Sequence, residues 1–232
     1  MRSTALLLGA LLLITALIPA GILPASNIPA YTLGGSELQL IGPENHPRVN
    51  KDSQLGLKLV PSRYKNAIKH VIGLYSPPAS NSMFKPYNNY GGIFYVGSKH
   101  RNWSAEEFSK LKSMLLSPEQ QQDEESLAAA RAYLQEFLRE GLGYDLPNRK
   151  TKKYLERLRN ASVLDESPHS VVMAFRHKEA GQKDKYVVMS LAMLKGKLIG
   201  TVYYQVDPGK KERRRADGLT ISWQKALIEA NS

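Results

Sequence analysis

The C-terminal third of the chain is patterned with a period of two, as β-strands are. Residues 171–175 alternate between two faces. Residues 186–194 are apolar at nearly every position, which is typical of a central strand that is buried on both sides. Lys195-Gly196 predicts a tight hairpin turn, and residues 198–206 predict the partner strand.

Helical spacing governs two segments that precede this region. Ser104 and Glu107 form a capping box, and apolar residues follow at intervals of three or four. A second helix is predicted with Pro118 at its first position and with Gly141 or Gly143 at its end. Its predicted apolar face consists of Leu127, Ala130, Leu134, Phe137 and Leu138.

Two more helices are predicted, one over residues 149–160 and a last one that begins near Asp217. Residues 55–60 and 93–96 predict short strands, whereas residues 64–75 fit a helix and a strand equally well. The order is strands, helices, an antiparallel meander and a closing helix. This order predicts an α+β fold, a mostly antiparallel sheet covered by helices.

The N-terminal 30 residues are typical of an export segment. Arg2 precedes an apolar run over residues 5–23, and small residues follow, with cleavage expected after Ala25 or Ala30. The alternative is an uncleaved anchor, because the run approaches the roughly 20 residues that span a bilayer. We expect a periplasmic or secreted protein or, with the anchor, one held in the inner membrane and facing the periplasm.

Domain organisation follows from this pattern. Residues 31–54 are rich in Gly and Pro and predict a linker or a loosely attached edge. Residues 55–232 are predicted to form a single α+β domain, since their number suits one core. The chain has no Cys, which excludes disulfides, thiol catalysis and Cys-ligated zinc.

Charge adds the main functional indication. The net charge is +11, which favours an anionic neighbour in the envelope, either an acidic protein or an anionic lipid or polymer. The basic residues concentrate in two short segments, and Arg in particular suits phosphate and carboxylate groups. The predicted binding residues are Arg149, Lys150, Lys152, Lys153, Arg157 and Arg159 in the first segment, and Lys210, Lys211, Arg213, Arg214 and Arg215 in the second. The alternative is that both segments are solvated surface.

A loop with Phe84, Tyr87 and Tyr90 is a second predicted contact surface, for protein or glycan. Its alternative is a set of aromatic side chains that close one end of the sheet.

Catalytic motifs are absent. The five His lack the spacing of a helical zinc site, so we expect no metal and no cofactor. Asp165, Ser167 and His169 are neighbours, but Pro168 makes this stretch a turn rather than a triad. Nucleic acid is disfavoured, because export argues against it and no nucleic-acid-binding motif is present.

One resemblance to known proteins comes from the C-terminal region. A strand, the turn Lys195-Gly196-Lys197 and a second strand are followed by a helix with Trp223 and a terminal Ala230-Asn231. This arrangement resembles exported bacterial proteins of unknown function whose fold is similar to the Mog1/PsbP-like α/β sandwich. The resemblance covers about residues 163–231 and carries no catalytic residue. It implies an envelope location and a binding or assembly role.

We therefore expect an exported, non-enzymatic cell-envelope protein that acts as a binding or accessory module for an anionic partner. The alternative is an envelope hydrolase whose site is assembled from scattered acids and His, with Glu106, Glu107, Asp165 and His169 as its candidates.

Overall fold

The computed structural model describes residues 30–50, 70–77, 89–116, 161–177 and 183–232. The predicted export segment, the strand at 55–60 and the helices at 118–141 and 149–160 lie outside these residues. The strands are β1 (Ala30–Leu33), β2 (Ser36–Gln39), β3 (Val71–Tyr75), β4 (Asn89–Tyr95), β5 (Ser162–Ser167), β6 (Ser170–His177), β7 (Lys185–Leu194) and β8 (Lys197–Val206). The helices are α1 (Ala105–Leu116) and α2 (Lys210–Asn231).

Six strands form one antiparallel sheet in the order β3-β4-β8-β7-β6-β5. The predicted α+β class with a mostly antiparallel sheet is therefore confirmed. β7 lies inside the sheet between β6 and β8, as its apolar run indicates. The β7–β8 turn has positive φ at both positions, 49° at Lys195 and 76° at Gly196, which matches the twist of a two-residue hairpin.

The closing helix α2 covers one face of this sheet. Trp223 and Leu227 are buried against β4 and β7 residues such as Ile93 and Ala192. Nearer its start, Ala216 is buried with Val188 and with other residues of β6, β7 and β8. Burial of these apolar side chains is the main force that holds the helix on the sheet. Trp223 thus packs on the sheet that contains β7.

The start of α2 differs from the prediction. The helix begins at Lys210, not near Asp217, so the predicted boundary was wrong. Its first two turns carry charged side chains and reach the core only at Ala216, and apolar periodicity therefore does not reveal them.

Residues 30–50 form a packed unit rather than the expected linker or loosely attached edge. β1 and β2 pair as a hairpin, and Leu33, Leu38 and Leu40 are buried in the same cluster as α2. The Asn231 side chain fixes β2 in place: Gln39 N donates to its Oδ1 at 2.8 Å, and its Nδ2 donates to Gln39 O at 3.0 Å. The partner is almost two hundred residues away in sequence, so local composition underestimates the order of this segment.

The helix α1 packs on the opposite face of the sheet, with Phe108 and Leu111 buried against β6, β7 and β8. Its predicted capping box is confirmed, because Glu107 N donates to Ser104 Oγ at 3.1 Å and Ser104 N donates to a Glu107 carboxylate oxygen at 2.7 Å. Neither α1 nor α2 is long and apolar enough to cross a membrane.

Lys197 connects the β7–β8 turn to the loop before α1. This lysine is only 2% exposed, and its Nζ donates to Lys99 O at 3.3 Å, Arg101 O at 3.2 Å and Asn102 Oδ1 at 2.7 Å. All three partners are neutral oxygens, so its ammonium group replaces its water shell with fixed protein acceptors. Lys197 thus has a structural role in orienting residues 99–102.

Two more local predictions are settled by the structure. The ambiguous segment 64–75 is a strand over its described part, β3. The expected turn is present at Pro168–His169, but residues 162–167 before it form the edge strand β5, which the pattern does not indicate. Polar residues suit an edge strand because it is open to water on one side.

Candidate functional site

The second predicted basic segment forms the start of α2. Lys210, Lys211, Arg214 and Arg215 are exposed, and Arg213 is half-buried. The segment is helical rather than a flexible connection, so the spacing between its charges is fixed. Lys210 and Arg214, four residues apart, lie on the same side of the helix.

Arg215 lies near a pair formed by the half-buried His46 and the buried Tyr203. A turn closed by His46 N donating to Pro43 O at 3.1 Å places the imidazole over β8. His46 Nδ1 lies 2.6 Å from Glu44 O, and because a carbonyl only accepts, Nδ1 carries the hydrogen. Nε2 therefore accepts from the Tyr203 hydroxyl at 3.0 Å.

Burial shifts the pKa of both members of this pair in the direction that favours the neutral form. Burial lowers the pKa of His46, and the nearby Arg215 guanidinium lowers it further, although the hydrogen bond to Glu44 acts in the opposite direction. Burial raises the pKa of Tyr203, with Arg215 opposing. The Tyr203 side chain is almost fully buried, so the pair offers no accessible nucleophile.

Arg213 belongs to a different, charge-balanced group. Its Nη1 donates to Pro208 O at 3.3 Å. Nearby, the Tyr186 hydroxyl donates to Asp217 Oδ1 at 2.6 Å. Burial raises the pKa of Tyr186, the Asp217 carboxylate adds to this shift, and Arg213 opposes it. Arg213 is therefore bonded to the residue before the N-cap of α2 and lies near the Tyr186–Asp217 contact between β7 and α2.

Lys210, Lys211 and Arg214 are the exposed cations that belong to neither of these two groups, and we call them the α2 cationic face. None of the ion pairs within the described part of the chain includes them. They stand at the helix N-terminus, where the helix dipole is already positive and cations are unfavourable. The N-cap Gly209 makes no side-chain capping bond, and Glu212 is the one acid of the first turn. An anion at this position would relieve the repulsion.

The other predicted binding residues are only partly described. Arg149, Lys150, Lys152, Lys153, Arg157 and Arg159 lie outside the described residues, so a surface shared by both basic segments stays a prediction. Phe84 and Tyr87 lie outside as well. Tyr90 belongs to β4, where it is half-buried and its ring lies 5.0 Å from that of Tyr204, centroid to centroid.

Two of the acids of the hydrolase alternative, Glu107 and Asp165, have partners of their own, whereas Glu106 and His169 are exposed. Glu107 caps α1 and pairs with Arg101 at 3.1 Å. Asp165 lies 3.5 Å from Lys225 of α2, and His169 is exposed in the β5–β6 turn. No group of three His, Cys, Asp or Glu suitable for a metal ion occurs among the described residues.

An open cavity of about 420 Å³ lies between β3 and the segment that follows β2. Of the described residues that line it, Arg48 is the charged one, and its Nη2 already donates to Ile72 O at 2.8 Å. The remaining lining side chains give no set of convergent polar groups, so the α2 cationic face is the stronger candidate site.

Sequence reasoning found the cations of this site but missed His46 and Tyr203. These two residues are separated by 157 positions, and neither belongs to a motif, so no local signal connects them. Neither the protein-family models nor the curated proteins match this sequence.

Proposed function

We propose that this protein is an exported, non-enzymatic module of the cell envelope that binds an anionic lipid surface through the α2 cationic face. The observation that carries the proposal is the placement of Lys210, Lys211 and Arg214: exposed, without ion pairs to described acids, and at a helix N-terminus. Solvation alone gives no reason to gather cations where the dipole opposes them.

The rigidity of the site supports this proposal. α2 is anchored by Trp223 and Leu227 at one end and by Ala216 nearer its start. The position of the α2 cationic face relative to the sheet is therefore fixed, and binding would cost little conformational entropy. Each cation near an anionic bilayer contributes about 1 kcal/mol, so three contribute about 3 kcal/mol, roughly a hundredfold in affinity.

Co-sedimentation with lipid vesicles tests the proposal. The protein is expressed as the full chain and purified from the envelope, so that any processing has occurred. Vesicles with about one-third anionic lipid are compared with neutral vesicles, at low salt and at about 1 M salt, where the Debye length falls to about 3 Å. We expect binding to the anionic vesicles alone and its loss at high salt.

Replacing Lys210, Lys211 and Arg214 together with Ser should abolish most of that binding. If the wild-type protein ignores anionic vesicles, the lipid proposal fails, and an acidic protein becomes the partner to seek. If the triple variant binds as the wild type does, the α2 cationic face is not the site.

A further inference from the structure

A chain of polar side chains links the segment after β2 to the face of the sheet that α2 covers. His46 Nδ1 donates to Glu44 O at 2.6 Å, and His46 Nε2 accepts from the Tyr203 hydroxyl at 3.0 Å. The two rings meet edge-on at a centroid distance of 5.4 Å. Gln205 is two residues further along β8, so its side chain lies on the same face as Tyr203 and extends the chain along the strand.

Gln205 has an acceptor that this chain does not use. The residue is 6% exposed, and a hydrogen bond from its side chain lowers the pKa of Tyr203. Its Oε1 is buried and accepts no hydrogen bond, which is unfavourable for a carbonyl oxygen. A flip of the amide exchanges its donor for this acceptor without a change of shape. Gln205 can therefore serve Tyr203 either as donor or as acceptor.

Protonation of His46 would reverse the direction of the bonds through Tyr203. An imidazolium carries hydrogens on both nitrogens, so Nε2 can only donate to the Tyr203 oxygen. The Tyr203 hydroxyl then needs another acceptor, and at 4% exposure it has little access to water. Gln205 Oε1 is the unused acceptor two residues away. The fold can thus hold His46 in both protonation states and keep its link to β8.

The segment that carries His46 packs against three elements, as bonds to Tyr203, from Trp223 to Ile41 O and from Val49 N to Leu74 O show. The titratable and charged groups that face this segment or belong to it are Tyr203 of β8, Arg215 of α2, Tyr75 of β3, and its own Glu44 and Arg48. Of these groups, Arg215 acts on His46 through its charge, and it acts on Tyr203 as well. A proton on His46 would therefore add a second positive charge near the start of α2.

We propose that His46 is a pH-dependent switch for the α2 cationic face: its protonation reverses the bonds through Tyr203 and adds a charge near Arg215, so that an anionic lipid surface binds more tightly at acidic pH. This inference rests on the proposed function, because it concerns the regulation of the same face. Coupling of this kind is reciprocal, so a bound anionic surface should raise the pKa of His46.

Vesicle binding at two pH values tests the switch. The full-length wild type, His46→Gln and the control His100→Gln are compared at about pH 7.5 and about pH 5, with vesicles that contain about one-third phosphatidylglycerol. The salt concentration is about 0.1 M, where the Debye length is about 10 Å. His100 is exposed on the loop that Lys197 holds, and Lys197 lies about 20 Å along β8 from Tyr203. Circular dichroism at pH 5 checks that each protein is folded.

We expect the three proteins to bind alike at pH 7.5. At pH 5 the wild type and His100→Gln should bind about fivefold more tightly than His46→Gln, as one added charge near an anionic bilayer predicts. Equal gains in all three proteins on acidification, or unfolding of the wild type at pH 5, would overturn the switch and leave the proposed function standing. A wild type that binds at neither pH would refute the proposed function, and the switch with it.

The reversal of the chain has a test that needs no vesicles. The pKa of His46 is measured by NMR titration of its ring protons in the wild type, in Gln205→Leu and in the control Gln224→Leu. Gln224 is also buried, on α2 about 14 Å beyond Arg215. Reversal predicts a lower pKa of His46 in Gln205→Leu, because the imidazolium loses the acceptor behind Tyr203, and no change in the control. A Gln205 that only donates would leave this pKa unchanged or raise it, and either result would overturn the inference.

Discussion

Replacing Trp223 with Ala is the sharpest perturbation of the core. The Trp223 side chain is 2% exposed, and its ring meets the Tyr75 ring edge-on at a centroid distance of 5.8 Å. A Cβ atom on Gly91 would lie 3.2 Å from the same ring, which shows how closely the ring fills the space above β4. The indole Nε1 donates to Ile41 O at 2.6 Å and so joins α2 to the segment that follows β2.

Each of these contacts contributes to the stability that we expect Trp223→Ala to remove. Removal of a large buried aromatic side chain costs about 3–5 kcal/mol through lost burial and the cavity left behind. The aromatic pair adds about 0.5–1.5 kcal/mol, and the unpaired Ile41 carbonyl adds about 1 kcal/mol. These contributions overlap, so we expect Trp223→Ala to lower the free energy of unfolding by about 4–5 kcal/mol.

Urea unfolding followed by far-UV circular dichroism measures this change, since the fluorescence of the variant is altered by design. Trp223→Phe is the matched control: it keeps a buried ring but loses the bond to Ile41 O, and we expect a cost of about 1–2 kcal/mol. Ser222→Ala, at the exposed neighbouring position, should change stability by less than about 0.5 kcal/mol. A cost below about 1 kcal/mol for Trp223→Ala would refute the packing of α2 described above.

Three further perturbations have defined outcomes. Lys197→Met leaves three oxygen acceptors of residues 99–102 without this donor, and we expect it to lower the free energy of unfolding by about 1–3 kcal/mol. The control is Lys110→Met on the exposed side of α1, which should cause almost no change. Both are measured by urea unfolding. Ser104→Ala removes the α1 cap and should cost about 1 kcal/mol in the same assay; an unchanged midpoint would contradict the capping role. The pKa of His46 is lowered by burial from its usual 6.5, so the folded state resists the proton that the unfolded state accepts, and stability falls as the pH drops below about 6.5. His46→Gln keeps an acceptor for Tyr203 and should reduce the pH dependence of the unfolding free energy between about pH 7 and pH 5. An unchanged pH dependence would assign the effect to another group.

Local pattern predicted the elements whose stability is local. Both central turn positions of the β7–β8 hairpin are encoded by Lys195-Gly196, and the α1 cap requires only Ser104 and Glu107. The apolar run of β7 is explained by burial on both faces. For the turn and the cap, the residues that cause the structure are adjacent in sequence, and for β7 the apolar run itself records the burial, so a short window is enough in each case.

Other features depend on partners that lie far away in sequence. The β1–β2 hairpin is ordered by contacts with Leu227 and Asn231 at the other end of the chain. Its Gly-rich composition gives no sign of these distant contacts and therefore predicts a linker. The first turns of α2 are polar, because the sheet begins to cover the helix only at Ala216. These turns therefore lack the helical spacing of apolar residues by which a helix is recognised in a sequence. The start of α2 shows both effects: its cations were found by composition, whereas the position of His46 near Arg215 required the tertiary structure.

The most direct measurement of the proposed function separates charge placement from charge number. Two triple variants are compared in binding to anionic vesicles at low salt: Lys210, Lys211 and Arg214 to Ser, and Lys99, Lys110 and Lys183 to Ser. All six residues are exposed, and each variant lowers the net charge of +11 by the same amount. An anion-binding face on α2 predicts roughly hundredfold weaker binding for the first variant and a small loss for the second. Equal losses in the two variants would show that the net charge of the chain, rather than the α2 cationic face, governs binding.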